Sequence, residues 1–256
     1  MPDGLQGRTV LIARDTGRAG GLKLRLTSLG ADVLVAPVTA TEPGDEAALD
    51  AAVANLGGFD WVVVASVNAV NALVDASKRQ AVSLADASLK WAAVGPATAS
   101  TLAKLEIIAS QPPEDHSAVG IVAALAPLAT PDALPRILLP QGDLAAPTLA
   151  DGLRAAGFDV TTVTAYRTRP AAIYPGIAQA WASGAIDAAV VAAPSAARQM
   201  AEQLGTQKPV VIVAIGNSTA AAARECGFQH VVVADDSTDE SLAAAVLKVA
   251  TDKVKP

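Results

Sequence analysis

Ala93-Val94-Gly95-Pro96-Ala97-Thr98-Ala99 and Ala214-Ile215-Gly216-Asn217-Ser218-Thr219-Ala220 carry one pattern. In each, an apolar run ends at a glycine, a turn follows, and a helix of small residues begins. Glycine lets the chain bend there without a Cβ clash. The amides that follow open a helix and lack intrahelical partners, which suits them to hold an anion. One such turn is a short string; two, with matching surroundings, point to a duplicated scaffold.

The duplication can be followed by position. Val10 and Ile137, Gly30 and Gly157, Pro43 and Pro170, and Asp60 and Asp187 are each 127 residues apart. Gly95 and Gly216, Thr98 and Thr219, and Ser117 and Thr238 are each 121 apart. The change of spacing falls in a loosely patterned region, where a difference in loop length costs little. A period this long describes two copies of one α/β half rather than a solenoid.

Within each half, short apolar runs alternate with helical stripes. Strands are expected at 9–13, 32–36, 59–66, 91–95 and 107–109, and again at 137–140, 160–163, 186–193 and 210–216. Leu22, Leu26 and Leu29 mark a helix that stops at Gly30, after a polar, glycine-rich loop over 14–21. Further helices are expected over 42–55 and 117–126, around Leu149, Leu153 and Ala156, and after Ser237-Thr238-Asp239-Glu240, which reads as a capping box. Pro113, Pro127, Pro131 and Pro135 make the middle connection irregular. The fold class is α/β, with two similar parallel-sheet domains and sites at the carboxyl ends of the strands, in the cleft between the domains.

The composition narrows the function. The 256 residues are 52% apolar, 17% charged and 3% aromatic, as a folded globular chain requires. A net charge of −6 gives no basic field for nucleic acid or an anionic membrane. No apolar run approaches the ~18 residues of a membrane span. The polar start lacks a signal-peptide core, so a cytoplasmic location is expected. The single Cys226 excludes an internal disulfide and a CxxC metal site, and no metal is expected. Gly17, Gly20 and Gly21 lack the dinucleotide spacing, and the second strand ends Val35-Ala36-Pro37 with no carboxylate for a ribose. His116 and His230 are isolated and read as solvated or capping residues.

Four strand-to-helix turns remain: Ser66-Val67-Asn68, Gly95-Pro96-Ala97-Thr98, Ala193-Pro194-Ser195 and Gly216-Asn217-Ser218-Thr219. Singly, Ser, Thr and Asn at such places are helix caps worth ~1 kcal/mol each. Together they form a neutral cradle for several carboxylates or phosphates, to which Arg14 and Arg18 can add charge-assisted bonds. Tyr166 follows Thr161-Thr162-Val163-Thr164-Ala165, and its equivalent in the first half is Thr39. A phenol there is either a half-buried tyrosine or a group that steadies a leaving oxygen.

The ordered set Val-Leu-Ile-x-Arg14, Phe-Asp-x-x-Val-Val-x-Ser66-x-Asn68-Ala-Val, Ala-Val-Gly95-x-x-Thr98-Ala, Leu-x-x-x-Gly157-x-x-Val…Tyr166, Pro194-Ser195-Ala and Ile-Gly216-x-x-Thr219-Ala resembles the uroporphyrinogen-III synthase family over nearly the whole length. The resemblance implies two α/β domains joined by a two-stranded linker: residues 1–38 with 170–256, and 39–169, with crossings near 39–41 and 165–169. It implies a lyase that cyclises hydroxymethylbilane, a linear tetrapyrrole, with loss of water and inversion of the terminal ring through a spiro intermediate. The product is uroporphyrinogen III of heme biosynthesis, made without a cofactor by a monomer. It further implies Tyr166 as the catalytic residue that assists departure of the hydroxyl. Arg14, Ser66, Asn68, Gly95, Thr98, Ser195, Gly216 and Thr219 become substrate-binding positions. Two other readings stay open. One is a non-catalytic bilobal binder of a carboxylate-rich small molecule or tetrapyrrole; the other is a sugar-phosphate enzyme.

Overall fold

A computed structural model describes residues 4–85, 89–112, 117–129 and 134–252, with the side chains of all but 18 and 250–252. His116, Pro113, Pro131 and the Arg18 side chain therefore lie outside the described residues. In chain order the elements are β1 (Thr9–Ala13), α1 (Thr16–Ser28), β2 (Asp32–Val35), β3 (Thr39–Pro43), α2 (Glu46–Ala54), β4 (Trp61–Val64), α3 (Val67–Gln80), β5 (Lys90–Ala93), α4 (Pro96–Ala103) and β6 (Ala109–Ser110). They continue with α5 (Ala118–Leu125), β7 (Arg136–Gly142), α6 (Thr148–Ala155), β8 (Asp159–Pro170), α7 (Pro175–Ser183), β9 (Ala188–Val191), α8 (Pro194–Leu204), β10 (Val211–Ala214), α9 (Asn217–Glu225), β11 (Val231–Val233) and α10 (Asp239–Asp252). No helix among the described residues is long and apolar enough to cross a membrane.

The chain forms two compact units, Met1–Ala40 with Arg169–Pro256, and Thr41–Thr168. The first holds a five-stranded sheet in the order β2-β1-β9-β10-β11, with every pair of neighbours parallel. The central strands are buried on both faces. Leu11, Ala189 and Ile212 pack toward Trp181, Met200 and Phe228. Val10, Ile12 and Val190 pack toward Leu22 and Leu26 of α1 and Leu242 and Val246 of α10. Helices on both faces are what an all-parallel sheet requires.

The second unit holds a six-stranded sheet, β3-β8-β7-β4-β5-β6. One face packs on Val53 of α2, Val70 and Leu73 of α3 and Leu102 of α4. The other packs on Ile121 and Leu125 of α5 and Leu149 and Leu153 of α6. β3 runs against β8: the Val38 carbonyl accepts from the Ala171 amide, while the Gly44 amide donates to the Ala165 carbonyl. Position therefore rises in one strand as it falls in the other, and this antiparallel pair is where the chain passes from unit to unit.

The sheet orders show how the duplicated halves are used. At the 127 and 121 spacings, β2-β1-β9-β10-β11 corresponds strand for strand to β8-β7-β4-β5-β6. Each unit is thus assembled from strands of both halves. The agreement reaches single bonds. Asp60 Oδ2 accepts from the Arg136 amide at 2.7 Å, and Asp187 Oδ2 accepts from the Thr9 amide at 2.9 Å. Gly30 and Gly157 end equivalent helices at φ +94° and +96°, where a Cβ is strained. Ser117 and Thr238 cap α5 and α10 by accepting from the amides of Gly120 and Ser241, both at 3.1 Å.

Several local expectations are corrected. The loop expected over 14–21 is largely helix: Asp15 caps α1, accepting from the Gly17 amide, and Gly17, Gly20 and Gly21 lie inside it. The low helix propensity of glycine is outweighed by burial of Ala19 and Leu22. The helix expected from 42 begins at Glu46, because Pro43 closes β3 and Asp45 accepts from the Ala48 amide. The edge strand expected at 107–109 is Ala109–Ser110, after Glu106 turns the chain at φ +62°. The last helix is capped by Thr238, not Ser237.

Asp187 also pairs with Arg8 at 2.9 Å, with both side chains about 30% exposed. Asp187→Ala should therefore lower unfolding stability by about 1–2 kcal/mol, and Asp60→Ala, which lacks that ion pair, by about 1 kcal/mol. Denaturant titration of both variants measures the difference.

Candidate active site

Strands buried on both faces leave polar groups only at their ends, and in a sheet of this order ligands gather where the winding reverses, at the carboxyl ends. In the second unit that place lies beyond β4 and β7. Ser66 follows β4 in extended conformation (φ −149°, ψ 151°) and caps α3, its Oγ accepting from the Ala69 amide at 3.1 Å. The same hydroxyl donates to Tyr166 Oη at 3.1 Å. Two candidate residues one hundred positions apart are thus joined directly.

Tyr166 reaches Ser66 because β8 breaks its own alternation. In β8, Val163 and Ala165 face the α2–α3 side, so the next residue should face the other way. The register with β7 shifts at this point, Gln141 opposing Thr164 and Gly142 opposing Tyr166. Ala165 is the extra residue of a β-bulge, and Tyr166 joins Ala165 on the α2–α3 side. Tyr166 does not end the strand, which runs on to Pro170. Opposite it, a Cβ on Gly142 would lie 2.7 Å from Tyr166 Cζ and 2.9 Å from Oη. Only glycine leaves the phenol that place.

The other three turns differ from Ser66. Gly95, Ala193 and Gly216 stand at the caps of α4, α8 and α9 with no side-chain capping bond. Thr98 and Thr219 are buried at 4% and 1% exposure, so these turns present backbone rather than hydroxyls. Gly95 (φ −131°) and Gly216 (φ −173°) are in extended conformations open to any residue, and a Cβ on either would meet nothing within 4 Å. The bend does not require glycine, contrary to the expectation from sequence. Glycine places no side chain beside the helix starts; Pro96 opens α4 without an N–H, so Ala97 supplies its first amide, and Asn217 supplies that of α9. Ser195 is half-buried in the first turn of α8. Arg14, at the end of β1, donates to Asp239 Oδ1 at 2.9 Å, which ties β1 to the start of α10.

Beside Tyr166 lies a groove of about 210 Å³ lined by Glu42, Glu46, Asn68, Asn71, Asp75 and Arg79 among others. Arg79 is held by Asp50 at 2.7 Å and Glu46 at 3.0 Å, and its guanidinium keeps the Asp50 carboxyl below the usual carboxylate range. The groove is acidic on balance, with Asn68 at the start of α3 and Asn71 as neutral groups in its lining. Among the described residues no group of three or more His, Cys, Asp or Glu is placed to hold a metal ion. The bulge, Gly142 and the acidic groove were not singled out in the sequence; Gly142 could have been, as a glycine at a strand end opposite the lone tyrosine of its neighbour.

The family model described as uroporphyrinogen-III synthase HemD matches residues 21–244. The uroporphyrinogen-III synthase of Synechococcus elongatus is 30% identical over 167 residues, 64% of this chain. The matched region spans 62% of that protein's length. Among solved structures, a mutant uroporphyrinogen III synthase from the extremely thermophilic bacterium Thermus thermophilus superposes with a TM-score of 0.65 at 24% identity, covering 96% of this chain and 99% of that one. The uroporphyrinogen-III synthetase of Helicobacter pylori gives 0.63 at 14% identity, covering 94% and 99%. At these identities the two structures show a shared fold.

Gly142→Ala should push the phenol off Ser66 while leaving the fold intact. Of the two tyrosines Tyr174 is 70% exposed, so ring-labelled tyrosine gives one NMR signal for each environment. The Tyr166 signal should move and the Tyr174 signal should not.

Proposed function

The chain belongs to the uroporphyrinogen-III synthase family, and from that premise we propose that it closes hydroxymethylbilane to uroporphyrinogen III, as a cyclising hydro-lyase. The observation that carries the reading is the Ser66–Tyr166 hydrogen bond at the end of β4, made possible by a bulge that turns the phenol to that side. The non-catalytic binder does not account for that seat, since holding carboxylates needs no oriented phenol.

The chemistry balances as follows. The pyrrole nitrogen lone pair of the ring that bears the hydroxymethyl group, at the opposite end of the chain from the ring to be inverted, expels the hydroxyl from its methylene carbon. The C–O bond breaks, and the Tyr166 proton leaves with the hydroxyl as water. The already substituted α-carbon of the last ring attacks this electrophilic methylene and forms the spiro C–C bond. The older bond from that α-carbon to its bridging methylene then breaks, and the ring's free α-carbon captures the released methylene, which inverts the ring. The proton released when the pyrrole regains aromaticity restores the phenol. No external oxidant, reductant or cofactor enters this balance.

Closure without inversion is the spontaneous course, so the protein must chiefly hold the chain in one geometry. The proposed holders of the substrate carboxylates are Asn68, the Ala97 amide after Gly95, the Asn217 and Ser218 amides after Gly216, and Ser195. Each helix start contributes ~0.3–1 kcal/mol per anion, which neutral donors can supply in a chain of net charge −6. Arg14 acts in this reading through the position it gives α10. We further propose a monomer acting in the cytoplasm.

Freshly made hydroxymethylbilane, followed by separation of the product isomers, tests the reading. Isomer III should dominate; isomer I alone at the spontaneous rate would refute it. Tyr166→Phe should slow isomer III by about 10²–10⁴-fold, the usual weight of a positioned acid. Gly95→Val suits the extended backbone but covers the amides. It should raise KM about tenfold or more with kcat little changed, as loss of uniform binding does.

A further inference from the structure

A serine hydroxyl has one proton and two lone pairs. In Ser66 a lone pair is taken by the Ala69 amide and the proton by Tyr166 Oη. A hydroxyl held between these two partners is fixed against the phenol. We infer that Ser66 is a positioning residue that acts through Tyr166, and that Gly142 completes the seat. This rests on the reading of Tyr166 as the group that assists departure of the hydroxyl.

The physical consequence is a short relay. The Ala69 amide at the start of α3 donates to Ser66, and Ser66 donates to the phenol oxygen. Each bond polarises the next. Negative charge that develops on Oη as that proton departs meets a donor already in place, backed by the positive end of a helix. Ser66 is fixed by its capping bond, so little reorganisation is needed when the charge appears.

The duplication supports the assignment independently. At a spacing of 127 the equivalents of Gly142, Ser66 and Tyr166 are Asp15, Ala193 and Thr39. Strand order, the pinning aspartates and the helix-ending glycines recur in both units. All three members of the seat differ together. The repeated scaffold forms without them in the other unit, so their joint presence follows the phenol.

A double-mutant cycle tests this on the full chain, using wild type, Ser66→Gly, Tyr166→Phe and the pair, with single-turnover formation of isomer III as readout. Glycine is nearly as good a helix cap as serine, which preserves α3; thermal melts confirm folding, and Ser66→Thr serves as the conservative rescue. Ser66→Gly should lower kcat about tenfold with KM within about twofold, and Ser66→Thr should recover most of the loss. In the Tyr166→Phe background the same change should cost less than about twofold, since its partner oxygen is gone. A loss that appears in KM, or that multiplies fully in the double variant, would show Ser66 touching substrate directly and overturn the inference alone. A Tyr166→Phe protein that forms isomer III at the wild-type rate would overturn both this inference and the role given to Tyr166.

Discussion

The central strands of a parallel sheet covered by helices on both faces leave little room for polar side chains, and the placing of this protein's polar groups follows from that constraint. Val62, Val63, Leu138, Val190 and Ile212 are fully or almost fully buried, so the chain's polar groups collect where strands stop and helices start. The turns after β4, β5, β9 and β10 are therefore the places where the central strands can present donors to a ligand. For the carboxylate-rich substrate proposed above, a net negative chain relies on oriented amides and hydroxyls rather than on a field of cations.

The strand scaffold occurs twice, and the Ser66–Tyr166 contact is made in one copy. Asp60 and Asp187 pin equivalent strands through the same backbone amide contact. Among the described residues, the unit with Ser66, Gly142 and Tyr166 seats a phenol against a helix-capping serine, whereas Tyr174 at the start of α7 in the other unit is exposed. In the other unit Ala193 caps α8 without a side-chain bond, and Asp15 is occupied in capping α1. A duplicated fold can thus specialise at three positions without disturbing its core.

The strands, the helix-ending glycines and the internal repeat were legible because each has a local cause: apolar runs, positive φ, and spacing. The bulge at Ala165 was not, since it is a mismatch of counts between β7 and β8 and neither strand announces it alone. For that reason Tyr166 could be picked out in the sequence while its contact with Ser66 could not. The reading of Gly95 and Gly216 failed for a related reason. A glycine before a helix suggests backbone strain, but their φ values are extended, and the space above them decides their use. Burial of Thr98 and Thr219 depends on how α4 and α9 lie on their sheets, which the short string Gly-x-x-Thr does not encode.

The central claim is that the Tyr166 phenol gives its proton to the departing hydroxyl, and leaving-group dependence measures that step directly. A bilane whose terminal hydroxyl is replaced by an ester leaves without needing a proton. In single turnovers, Tyr166→Phe should convert this ester to isomer III at close to the wild-type rate while remaining slow with hydroxymethylbilane. An equal deficit with both substrates would place the tyrosine in substrate positioning alone and contradict the account.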